Sequence, residues 1–307
     1  MGPRIGTAVL FLILTGLFLI IGSFVGYLFY GSPILGALVF LFISAAINVF
    51  TYFFATKLVL SANRARFVSE AEAPRLYSAV RQVSQTYNLP MPKIAISSFT
   101  SPNAFATGRN PSNAVVCATS GLLNVLDDRE LRGVIAHEMA HIKDRDILVM
   151  SIAATIAGAI SWAANSLFFA AIFGGRRNQT GLIGLLVMMV TVPLAAALLQ
   201  LAISRRRETE ADIVGARTIG DPLSLASALQ KLENINSAHP LPVSPSSSSL
   251  YIVGSGRMRS TMMNIMSTHP PIEQRIRRLQ KLAYDMGYWS PAVKEMPSGR
   301  NLHRTRF

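Results

Sequence analysis

Residues 5–30 are almost wholly apolar, and after Tyr30-Gly31-Ser32 a second apolar run covers residues 33–56 and stops at Lys57. Each run exceeds the roughly 20 residues needed to cross a bilayer core, so the short connection predicts a membrane hairpin. A secretory signal peptide would have a shorter apolar stretch and no second span directly behind it. Another apolar pair lies at about residues 147–173 and 181–203, with Gly174-Gly175-Arg176-Arg177 in its turn. Trp162, Asn165, Pro193 and Gln200 interrupt that pair. It reads either as two further spans or as an incompletely spanning hairpin packed on the protein.

Between the pairs, residues 60–146 are polar. Pro74-Arg75-Leu76-Tyr77 opens a helical pattern that runs to Tyr87 and is closed by Asn88-Leu89-Pro90. Three β-prone runs follow: Lys93-Ile94-Ala95-Ile96, Asn103-Ala104-Phe105-Ala106-Thr107 and Ala114-Val115-Val116-Cys117-Ala118. Gly108-Arg109-Asn110-Pro111 supplies a turn between the last two. Asp127 or Asp128 then caps a helix whose apolar positions include Leu131, Val134 and Ile135. Residues 205–235 read as helical, a Ser- and Pro-rich loop covers residues 237–249, and a final basic helix begins near Pro271.

Composition sharpens the membrane reading. Half of the 307 residues are hydrophobic and only 15% are charged, against roughly 25% in an ordinary soluble domain. The formal charge of +13 could mark either nucleic acid or the anionic face of a membrane as partner. Lys57, Arg64, Arg66, Lys143, Arg145, Arg205, Arg206 and Arg207 all lie on the side that bears the polar domain, and the first hairpin turn carries no charge. That distribution predicts a lipid bilayer and no nucleic acid, with the polar domain in the cytoplasm. Arg176 and Arg177 would fall outside, against the rule. The single cysteine, Cys117, excludes an intrachain disulfide and a Cys-based zinc knuckle. Its neighbours Val115, Val116 and Ala118 predict a buried strand residue rather than a nucleophile.

The chemistry lies in His137-Glu138-Met139-Ala140-His141. Two His four apart on a helix project from one face, so both rings can reach one metal ion. Glu138 sits where its carboxylate can take a proton from a water at that metal. A catalytic zinc needs a third protein ligand and an open position. Arg205-Arg206-Arg207-Glu208-Thr209-Glu210-Ala211-Asp212 offers Glu208 and Glu210. Glu208 and Asp212 share a helix face, so one could bind metal while the other receives an N–H from a ligating imidazole. Spacing alone leaves Glu210 open.

This pair of motifs, separated by a hydrophobic hairpin, resembles the HtpX family of membrane metallopeptidases, within a wider group that includes the CAAX prenyl endopeptidases. Pro102-Asn103-Ala104-Phe105-Ala106-Thr107-Gly108 and His269-Pro270-Pro271-Ile272-Glu273-Gln274-Arg275-Ile276 match further motifs of that family, so the likeness covers nearly the whole chain. The resemblance implies zinc, one per subunit, held by His137, His141 and Glu208, with Asp212 behind a ligating His and Glu138 as the catalytic base. It implies Asn103 on a substrate-pairing edge, and His269 and Arg275 as donors to the developing oxyanion. It also implies membrane-protein substrates, damaged or misfolded ones included, and a place in the stress response at the plasma membrane.

The resulting expectation is an α+β chain: a mainly helical integral membrane protein of about four membrane segments with a zincin-like metallopeptidase domain carrying a small β-sheet. Its parts would be a transmembrane hairpin (1–59), the first part of the catalytic domain (60–146), a second hydrophobic hairpin (147–203), the second part of the catalytic domain (204–296) and a basic tail (297–307). Three rivals fit less well. An intramembrane protease of the site-2 type carries its motif inside the bilayer, where Arg129, Glu130, Arg132, Lys143 and Asp144 would be too costly. A prenyl-protein endopeptidase has more spans. A membrane scaffold with structural zinc would need a fourth protein ligand, mostly from Cys and His.

Overall fold

The computed structural model describes residues 3–156, 205–238 and 270–288. Helices α1 (Pro3–Tyr30) and α2 (Pro33–Ala62) form an antiparallel hairpin. Gly31 makes the turn at φ 63°, and the Ser32 hydroxyl accepts the Leu35 N–H at 3.3 Å to cap α2. The helices touch through glycine. A Cβ on Gly36 would lie 2.0 Å from the Gly22 carbonyl oxygen and 2.5 Å from Gly26 Cα, so only hydrogen permits this approach. Ser44 and Asn48 both donate to Thr15 Oγ1 at 3.1 Å, pointing the polar groups of the hairpin inward. Both helices are long and apolar enough to cross a membrane.

Helix α2 continues past the end of its apolar run, to Ala62. The extension has a partner. Val59 and Leu60 pack against Ala95, Phe105, Val115 and Cys117 on one face of the sheet. That sheet has the order β1-β2-β4-β3. Strand β1 (Ala65–Phe67) runs antiparallel to β2 (Lys93–Ser97), which lies parallel to β4 (Ala114–Thr119). Edge strand β3 (Ala104–Gly108) pairs antiparallel with β4, Ala104 facing Ala118. Three strands were legible in the pattern; β1, with three residues, is too short to show alternation. Cys117 is buried, and that burial pushes its thiol up to about 12, as expected of an inert strand residue.

The other face of the sheet carries the main core, with α3 (Pro74–Tyr87) and α5 (Asp128–Lys143) laid against it. A short helix α4 (Ser120–Val125), capped by Thr119, links β4 to α5. Asp127 is the residue that caps α5. It accepts the Glu130 N–H at 2.8 Å while the Glu130 carboxylate accepts the Asp127 N–H at 3.1 Å. Helix α6, described over Ile147–Ile156, packs Val149, Ile152 and Ala153 against Leu10, Leu14 and Ala55 of the hairpin. The rest of the second apolar pair, the Ser-rich loop and the basic tail lie outside the described residues.

The segment expected as helical over 205–235 forms two helices, α7 (Arg205–Ile219) and α8 (Pro222–Ala238), separated at Gly220 with φ 67°. Pro222 then starts α8, where a missing N–H costs nothing. Helix α9 (Ile272–Asp285) closes over α7 and α8. Helix α5 is central, contacting α3, β3, α7 and α8.

Candidate metal centre

Helix α5 carries His137, Glu138 and His141 on its buried side, each almost wholly out of solvent. The two rings meet edge to face, with centroids 4.9 Å apart and planes at 88°. Their Nε2 atoms face each other at 3.3 Å. From α7, Glu208 brings Oε2 to 3.6 Å from His137 Nε2 and Oε1 to 3.4 Å from His141 Nε2. Ligand atoms of His137, His141 and Glu208 thus lie within 4.8 Å of one another, and all three residues are buried. Glu210 points elsewhere; it is half exposed and paired with Arg206 at 2.9 Å.

Carboxylates stand behind both rings. His141 Nδ1 lies 3.1 Å from Asp146 Oδ2. His137 Nδ1 lies 3.0 Å from Asp212 Oδ1, a close polar contact whose geometry departs from an aligned hydrogen bond. With Nδ1 of each ring turned to an acid, the proton of a neutral imidazole belongs there. Two Nε2 lone pairs and a carboxylate would then converge on one point. Such a point repels unless a cation occupies it, and the donor set of two imidazoles and one carboxylate is one that fits a metal ion.

The same crowding governs the metal-free protein. Burial would lower the pKa of His137, but Asp212 and Glu208 outweigh it and raise it. Burial likewise works against His141, yet Asp146 and Glu208 carry it up to about 10. Glu138 is raised because its carboxyl is buried, only partly offset by the two imidazoles. Its Oε2 accepts the Ala106 N–H at 2.9 Å. That bond ties the motif helix to edge strand β3, on the side away from β4.

Other expected site residues fall in different places. Asn103 is buried just before β3, its N–H donating to Thr119 Oγ1 at 2.9 Å and its carbonyl accepting the Thr119 N–H at 2.9 Å. Arg275 is wholly buried, with Nε and Nη2 donating to the two oxygens of Asp212 at 2.9 and 2.7 Å. Burial alone would raise the Asp212 carboxyl, but Arg275 and His137 overcome it and hold it at about 2. His269 lies outside the described residues. Asp146 is the residue that sequence reasoning passed over. Its signal is its place five residues beyond His141, after Arg145 at φ 58°, which turns the chain back toward the ring.

Residues 70–283 match Peptidase family M48. The chain belongs to this family of metallopeptidases. More particularly, it is similar over most of its length to proteins named Protease HtpX homolog. That from Syntrophobacter fumaroxidans is 46% identical, covering 92% of this chain and 100% of the relative. Those from Thermodesulfovibrio yellowstonii and Thermococcus kodakarensis are 47% and 46% identical over 90% and 92% of this chain, and 97% of each relative is covered. Among solved structures, S. mikatae Ste24p overlays with a TM-score of 0.45 at 21% identity, covering 90% of this chain and 64% of that one.

Proposed function

We propose that this metalloprotease is a zinc-dependent membrane endopeptidase in which His137, His141 and Glu208 hold the ion and Glu138 moves the proton. The observation that carries the reading is the convergence of the two Nε2 atoms and the Glu208 carboxylate at 3.3–3.6 Å. Donors about 2.0–2.1 Å from one tetrahedral ion lie about 3.3–3.4 Å from each other. Zinc, when bound, supplies a Lewis acid that makes water acidic near neutral pH and polarises the scissile carbonyl.

The residues of the chain do the rest. Glu138, held by one oxygen to β3, keeps the other for proton transfer, and its burial raises its pKa toward the range a general base needs. Asp212 and Asp146 hold the proton on Nδ1 of each ring and thereby aim Nε2. Arg275 keeps Asp212 charged and in place, a positioning role in place of an oxyanion contact. Edge strand β3 offers backbone groups to an extended substrate. Substrates would be membrane proteins, including damaged ones, cut where chain leaves the bilayer on the cytoplasmic side. The α1–α2 hairpin, with α6 packed against it, supports that placement.

Glu138→Gln should retain zinc and lose about 10²–10⁴-fold in cleavage of an unfolded membrane-protein substrate. Glu208→Ala should lose zinc affinity, while Glu210→Ala should not. Undiminished proteolysis by Glu138→Gln, or metal loss on changing Glu210 but not Glu208, would overturn the assignment.

A further inference from the structure

Helix α2 is longer than a bilayer core requires, and the surface around its end is patterned. Tyr27 and Tyr30 are exposed beside the hairpin turn, and Tyr52, Phe53 and Phe54 are exposed farther along α2. From Pro33 to Phe53 the helix rises about 31 Å at 1.5 Å per residue, which matches a hydrocarbon core of about 30 Å. Tyr, like Trp, favours both boundaries of a bilayer, and Tyr27 and Tyr30 mark one level while Tyr52 marks the other. Beyond Phe53 the environment changes. The Arg109 guanidinium stands over the Phe53 ring, 5.4 Å from its centroid. Lys57 is exposed one turn on, on the same face as Phe53. Val59 and Leu60 are already covered by the sheet.

We infer that the bilayer surface lies at the level of Phe53, with anionic lipid headgroups contacting Arg109 and Lys57. This rests on the reading that the hairpin crosses a bilayer. Its consequence is a distance. Arg109 directly follows β3, so β3 runs toward the membrane with its Gly108 end nearest. Ala106, which holds Glu138, is three residues back, about 10 Å at 3.3 Å per residue. A substrate chain leaving the headgroups in extended form would reach the level of Glu138 within about three or four residues. The peptidase site is thereby set for segments that directly adjoin a span, rather than for the middle of long loops.

Depth measurement tests this on the full chain in vesicles of phosphatidylethanolamine and phosphatidylglycerol. Phe42→Cys, Phe53→Cys and Ser98→Cys would each be spin-labelled; all three positions are exposed, Ser98 lies at the end of the sheet opposite Gly108, and the native Cys117 is buried. Collisions with oxygen should dominate at 42, balance those with a water-soluble nickel chelate near 53, and give way to nickel at 98. Nickel access at 42 would sink the membrane reading itself. Oxygen dominance at 42 with 53 equally deep, or with 53 fully in water, would overturn only the level inferred here. Lys57→Gln and Arg109→Gln should each lower the preference for spin-labelled phosphatidylglycerol over phosphatidylcholine by up to about fivefold. An unchanged preference would overturn the headgroup contact.

Discussion

The two imidazoles of the centre are held by different kinds of structure. His141 is supported by Asp146, five residues farther along the chain, and a single left-handed residue, Arg145, brings that carboxylate round. His137 is supported by Asp212, on a different helix, and Asp212 is held in turn by Arg275 from a third. One half of the site needs only a turn. The other needs α5, α7 and α9 packed in register, with the buried charges compensating one another. The local half can therefore form wherever α5 forms, while the remote half, which includes Glu208, exists only in the folded domain. This splits the metal centre into a part that reports local geometry and a part that reports tertiary structure.

Removing Arg275 should separate the halves most strongly. Arg275→Ala leaves the Asp212 carboxylate buried without its partner, a change that costs about 3–5 kcal/mol when one member of a buried pair is lost. Urea unfolding in detergent should show that loss. Arg275→Lys should recover only part of it, because an ammonium cannot make the two-pronged contact. Asp212→Asn and Asp146→Asn should each weaken zinc binding by about 10–100-fold, measured by competition with a chelator. They should differ in stability. Asp212→Asn strands Arg275, whereas Asp146 Oδ1 has no hydrogen-bond partner among the described residues. Equal destabilisation by the two substitutions would erase the distinction.

That contrast also explains what the sequence made legible. The hairpin is readable because lipid tolerates only long apolar runs, and α5 because its cap, its periodicity and its motif coincide. Glu208 is adjacent to Glu210 in composition and charge; only burial distinguishes them, and burial is a tertiary property. Arg275 reads as one basic residue among several in a solvated helix, because its partner lies 63 residues away. Asp146 was within reach. It was passed over because Asp144, Arg145 and Asp146 look like a charged flank, and a left-handed turn at Arg145 has no strong sequence signal. Strand β1 was missed because three residues carry no period.

The metal-free protein should lose stability at both ends of the pH scale, the acid end through Asp212 of the remote half and the alkaline end through both raised imidazoles. Asp212 is depressed from 3.8 to about 2. Its contribution is present above pH 4 and is lost as pH falls from about 4 to 2, amounting to about 2 kcal/mol. His141 is raised from 6.5 to about 10. Its contribution is complete below pH 6.5 and is lost as pH rises toward 10. Unfolding free energy of the zinc-free protein should therefore fall on both sides of a plateau at about pH 4–6.5. Asp146→Asn should make the alkaline arm shallower, since Asp212 and Glu208 still raise His137, and leave the acid arm in place. Zinc binding, which needs deprotonated ring nitrogens, should tighten with rising pH over the alkaline arm.

The smallest change tests the coupling most directly. Gly215 sits on α7 three residues beyond Asp212 and seven beyond Glu208, on the face turned toward α5. A Cβ there would lie 3.0 Å from the carbonyl carbon and oxygen of Ala136 and from the His137 nitrogen. Those are backbone atoms of a helix, so the two helices must part by a few tenths of an ångström. Gly215→Ala should cost about 1 kcal/mol of stability, at the low end for overpacking. It should also move Asp212 and Glu208 away from His137 while leaving His141 and Asp146 as they are. Its effect on zinc affinity should add to that of Asp146→Asn, since the two act on different halves. With Asp212→Asn the effects should fall short of additive, because both loosen the same contact. Additivity with both partners would mean that α7 moves as freely as an isolated turn, and the centre would then have no tertiary half to distinguish.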